Sequence, residues 1–82
     1  MSTGTQATKH VGKTKGIENH DHDLIQELSK RLDALWRYDQ YESNAQGKPK
    51  IQECWRVLKQ QEQENVNKLK ALIAEEVKSG CF

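Results

Sequence analysis

One proline, one methionine, one phenylalanine and two cysteines are all that this chain of 82 residues holds of those types, and no apolar run approaches a membrane span. Each scarcity excludes something. Cys54 sits in a helical pattern and Cys81 follows the glycine that stops that same pattern, so a disulfide between them would join opposite poles of a hairpin. The chain therefore reads as reduced and intracellular. Met1-Ser2-Thr3-Gly4-Thr5-Gln6 has no apolar stretch of signal-peptide length, and a cysteine next to last is not a prenylation box, so a soluble, cytoplasmic protein is expected. Thirteen basic residues against twelve acidic ones give a formal charge of +1, too little for a global field that recruits nucleic acid or a membrane. No Ser-His-Asp arrangement, glycine-rich phosphate loop or zinc-finger spacing occurs, which favours a non-catalytic role over an enzyme.

What the chain does contain is helical periodicity. Residues 1–19 are rich in Thr, Gly, Lys and Ser, with Val11 and Ile17 isolated, and read as a disordered, mildly basic arm carrying Lys9, Lys13 and Lys15. From His20 to Gly80 the pattern is a two-helix hairpin. The first helix is expected over about 23–43, capped by Asp21 or Asp23, with Asp23-Leu24-Ile25-Gln26 resembling a capping box. Leu24 or Ile25, then Leu28, Leu32, Leu35 and Trp36, recur at three- and four-residue steps along one face. Gln46-Gly47-Lys48-Pro49 breaks the pattern. A second helix follows over about 49–79, with Pro49 in its first turn and Ser79-Gly80 as its left-handed stop. Its stripe runs through Ile51, Trp55, Leu58, Val66, Leu69, Leu72 or Ile73, and Val77.

So short a connection forces antiparallel neighbours. Trp55 should then lie near Tyr38, Leu58 near Leu35, Glu62 near Arg31 or Leu32, and Val66 near Leu28. One end of the seam is aromatic and the other aliphatic. A single hairpin of this length has too thin a core to stand alone. The fold class expected is all-α, with hairpins pairing into a four-helix bundle or larger homo-oligomer through Leu28, Leu32, Leu35, Trp36, Tyr38, Trp55, Leu58, Val66 and Leu69.

The second stripe is interrupted by Gln60-Gln61-Glu62-Gln63-Glu64-Asn65, where a continuous coiled coil keeps an apolar residue. Two readings follow. In one, Glu62 pairs with Arg31 as a polar layer that fixes register. In the other, Glu62 and Glu64 face Glu27, and with Asn65 they gather oxygen ligands for a cation. Di-iron carboxylate bundles use Glu-x-x-His to project both ligands inward. Here Glu62 is followed three residues on by Asn65, and Glu64 by Asn67.

The run Leu24-Ile25-Gln26-Glu27-Leu28 through Leu35-Trp36-Arg37-Tyr38-Asp39-Gln40, a short loop, and Glu62-x-x-Asn65 in a second amphipathic helix resembles the two-helix half-ferritins, encapsulated ferritins among them, of the ferritin-like superfamily. The resemblance spans about residues 22–78. It implies hairpins paired into four-helix bundles and iron held between subunits by Glu and Glu-x-x-His ligands. The chain departs at the histidine, and Lys30 or Leu32 stands about where the first-helix carboxylate is expected.

Two further constellations complete the reading. His20, His22 and Cys81 lie near one another if the hairpin closes, with Glu75 or Glu76 able to complete a tetrahedron for zinc. Trp36, Tyr38, Tyr41 and Trp55, with Arg37, Lys48, Lys50 and Arg56 nearby, have the residue types of a base-stacking platform, although rings at helical spacing are more often core or interface anchors. The leading expectation is a non-catalytic oligomerisation or adaptor module without a cofactor, able to engage a protein partner. A ferritin-like protein binding iron or another divalent cation is the alternative, and a weak nucleic-acid binder acting through the basic arm is the second.

Overall fold

The computed structural model describes residues 16–80, and among these it is all-helical. Helix α1 spans Asn19–Asn44 and α2 spans Pro49–Lys78. At 1.5 Å per residue they are roughly 39 and 45 Å long, and they pack against each other as an antiparallel hairpin. Among the described residues no helix is long and apolar enough to cross a membrane. Most of the expected basic arm, residues 1–15, lies outside the described residues, as does Cys81.

Helix α1 begins four residues before the expected Asp23. Its N-cap is Glu18, in an extended conformation and without a side-chain cap, whose carbonyl accepts from the amides of Asp21 and His22 at 3.1 and 3.0 Å. Asp21 and Asp23 are therefore not caps. They fall inside the helix, where a carboxylate still suits the positive end of the helix dipole.

The connection is built as expected. The amide of Ala45 donates back to the carbonyls of Tyr41 and Glu42, closing α1. Gly47 takes φ of 82°, a region that costs a side chain energy and glycine nothing. Lys48 donates to the carbonyl of Ala45 at 3.0 Å, and Pro49 opens α2. At the far end Gly80, at φ 84°, is the left-handed stop after Ser79.

The seam between the helices is thin. Four described residues are buried: the apolar Ala34 and Val66, and the acidic Asp21 and Glu62. Half-buried Leu24, Leu28, Leu35 and Tyr38 face half-buried Trp55, Leu58, Leu69 and Ile73. The expected apolar stripe of α1 is split. Leu24, Leu28 and Leu35 enter the seam, whereas Ile25, Leu32 and Trp36 stand out of it and are exposed. A one-residue step turns a helix by about 100°, so orienting Leu24, Arg31 and Leu35 toward α2 swings their neighbours onto a flank. On α2, likewise, Ile73 packs while Leu72, Ile51 and Val77 are exposed.

Candidate functional site

Three layers lie along the seam, and each has its own chemistry. At the loop end Tyr38 and Trp55 stack with centroids 6.2 Å apart and planes 28° from parallel. Tyr41 leans on Trp55 at 5.0 Å and meets Tyr38 edge to face at 6.2 Å. These contacts are the favourable geometries of ring quadrupoles. The rings thus satisfy one another. Trp36 is not part of this cluster: two residues before Tyr38, it points about 200° away and is 66% exposed. Arg56, one of the cations expected beside a stacking platform, is held by Glu42 at 2.7 Å and Glu53 at 3.3 Å. Its guanidinium is shifted further toward the charged form, first by the hydrogen bond to Glu42 and then by that to Glu53.

The middle layer is polar. Arg31 donates from Nη1 to Glu62 Oε1 at 2.8 Å and from Nε to Glu27 Oε2 at 2.9 Å, while Asn65 Nδ2 donates to the same Glu62 oxygen at 2.9 Å. Glu62 is buried, and its Oε1 accepts from two donors on two helices. Arg31 in turn is pushed still higher in pKa, first by its hydrogen bond to Glu62 and then by that charge. Three of the four residues expected to gather oxygen ligands, Glu27, Glu62 and Asn65, are thus neighbours, and a guanidinium sits among them. Glu64 is not brought to them. It is exposed on the outer side of α2, because a two-residue step from the inward Glu62 turns it away from the seam.

At the open end His20, Asp21 and Glu76 converge. His20 Nε2 lies 3.0 Å from Glu76 Oε1 and 3.5 Å from Asp21 Oδ1, and one ligand atom from each of the three falls within 4.8 Å of the others. Asp21 is 0% exposed, and no N–H group donates a hydrogen bond to either of its oxygens. Burial, followed by a hydrogen bond shared with Glu76 and by the charges of Glu76 and Glu18, raises its pKa, which the charge of His20 partly offsets. Of the expected trio His20, His22 and Cys81, only His20 is here. His22 is exposed and pairs with the adjacent Asp23 at 3.2 Å, since a two-residue step sends it to the opposite side of α1. Cys81 lies outside the described residues, and Glu76, rather than Glu75, provides the carboxylate of α2. In the sequence Asp21 reads only as a cap. The antiparallel register that places Glu62 at Arg31 carries Glu76 to the start of α1, which is the signal that locates this cluster.

Beside the seam runs an exposed apolar stripe. Ile25, Leu32 and Trp36 project from one flank of α1, bordered by half-buried Leu28 and Leu35. Comparison with protein-family models, with curated proteins and with solved structures finds no match for this chain.

Proposed function

We propose that this protein is a small non-catalytic association module, whose hairpins pack flank to flank into a four-helix bundle or larger assembly and serve as an adaptor or scaffold. The observation that carries this reading is the flank of α1. Ile25, Leu28, Leu32 and Leu35 follow one another at steps of three and four, the pattern of a helix-to-helix seam, yet Ile25 and Leu32 are nearly half exposed. Trp36 extends the stripe with an indole that is two-thirds exposed, and exposed tryptophan beside aliphatic residues is the composition of an interface anchor. The hairpin itself buries just two apolar side chains among its described residues, which leaves it short of core. A second copy presenting the same stripe covers both deficits at once.

Sedimentation of the full chain at micromolar concentration tests this. Wild type is expected to run as an oligomer. Trp36→Ala should weaken association by the roughly 2 kcal/mol or more of an anchor residue, about thirtyfold, and shift the distribution toward monomer. Trp55→Ala should act differently, lowering the melting temperature at every concentration because its ring packs within the chain on Tyr38 and Tyr41. A wild-type monomer that melts cooperatively, or a Trp36→Ala variant with unaltered mass at all concentrations, overturns the reading.

A further inference from the structure

The cluster at the open end of the hairpin lies apart from the association flank and calls for its own account. The geometry points to a divalent transition-metal site, with zinc as the best-fitting ion, held by His20 Nε2, Asp21 and Glu76 between the first turn of α1 and the last turn of α2.

Spacing is the first argument. Bonds of about 2.0 to 2.2 Å from a tetrahedral zinc put neighbouring ligand atoms about 3.4 Å apart, and a six-coordinate ion of the same bond length about 3.0 Å. The two contacts of His20, at 3.5 and 3.0 Å, already have these lengths. The donor set is the second. One imidazole with two carboxylates suits zinc, which accepts nitrogen and oxygen and takes three protein ligands with water in the fourth place. Calcium and magnesium favour more oxygens and no imidazole. Two carboxylates also balance the charge of a divalent ion.

The decisive feature is Asp21. A fully buried carboxylate to which no N–H group donates is a costly arrangement, and the hydrogen bond open to its oxygens is a proton shared with a second acid, Glu76. A cation placed among the three satisfies both acids and uses a histidine that is already turned toward them. His20 remains largely open to solvent, so an ion can reach the site. Because His20 and Glu76 are 56 residues apart in sequence, the ion would fasten the two ends of the hairpin and bind only the folded chain.

The test is a titration of zinc chloride alone into the full chain, stripped of metal by a chelator, read by calorimetry and by the melting temperature. One zinc per chain and a raised melting temperature are expected. Asp21→Asn and Glu76→Gln keep side-chain size and should each bind at least about tenfold more weakly, whereas His22→Ala and Cys81→Ser should bind as wild type. Cobalt in place of zinc should give the spectrum of nitrogen and oxygen ligands without a thiolate charge-transfer band. Circular dichroism confirms that the variants are helical, and Glu76→Gln, on the better-solvated ligand, serves if Asp21→Asn does not fold. Absence of binding, binding unchanged in both carboxylate variants, or loss of binding in His22→Ala or Cys81→Ser overturns the site. So does a chain inert to zinc that Asp21→Asn stabilises, since the two acids then share a proton and no metal.

Discussion

Arg31 is shared between Glu62 on the opposite helix, at 2.8 Å, and Glu27 one turn earlier on its own helix, at 2.9 Å. The cross-helix bond is the one that matters for folding, because it neutralises the buried Glu62. Removing the guanidinium alone leaves that carboxylate in the seam with only Asn65 to donate to it. Arg31→Leu is therefore expected to lower the melting temperature clearly. Arg31→Leu combined with Glu62→Leu should recover most or all of the loss, because a pair of apolar residues can replace a buried ion pair at little cost. Thermal melts of the two variants check this. A double variant that melts below the single one would show that the polar layer contributes more than charge balance.

Asp21 gives the hairpin a pH dependence of unusual sign. Its folded-state pKa is raised above the ordinary 3.8, chiefly by burial and next by the hydrogen bond with Glu76. A raised value means that the folded state binds the proton more tightly than the unfolded chain does. The contribution of Asp21 is then fully present below pH 3.8 and is lost as pH rises through its folded-state value. The groups facing it are His20, Glu76 and Glu18. In chelator buffer, the melting temperature of wild type minus that of Asp21→Asn should fall as pH increases from below 3.8 toward neutrality. A difference that is flat or rises with pH contradicts this assignment.

Gly47 offers a measurement of backbone cost without side-chain collision. Its φ is 82°, and a Cβ added there meets nothing within 4 Å. Gly47→Ala is expected to destabilise the chain by about 1 to 2 kcal/mol, the cost of the left-handed conformation for an ordinary residue. Denaturant unfolding should show a lower midpoint with an unchanged slope. Equal stability of the two proteins would mean that the turn relaxes to a different geometry.

Much of this architecture is legible in the sequence. Pro49 and Gly80 mark the start and stop of α2 because their backbone preferences are local, and the breaker around Gly47 fixes the antiparallel register by its shortness. That register then places Glu62 near Arg31 or Leu32 and Trp55 near Tyr38. The start of α1 is less legible. Asp21 and Asp23 look like caps because aspartate caps many helices, but the chain continues helical to Asn19, and Asp21 turns inward toward Glu76. Whether Leu24 or Ile25, and Arg31 or Leu32, faces α2 is a choice between positions about 100° apart on an apolar face wider than one seam needs. The ion pair with Glu62 and the aromatic stack resolve it, and both depend on the other helix. Trp36 lies on the same stripe, and the rotation that brings in Arg31 takes it out to the flank.

The charged rung at Arg31 and Glu62 has a mechanical consequence. Sliding one helix past the other by a single turn, about 5.4 Å, would still bring leucines against leucines elsewhere in the seam, but it would strand a carboxylate and a guanidinium opposite grease. Apolar contacts tolerate such slippage and this rung does not. It acts as a detent that locks the two rods at one offset, so the flank of α1 and the acids at the hairpin's mouth are presented to the outside at fixed positions.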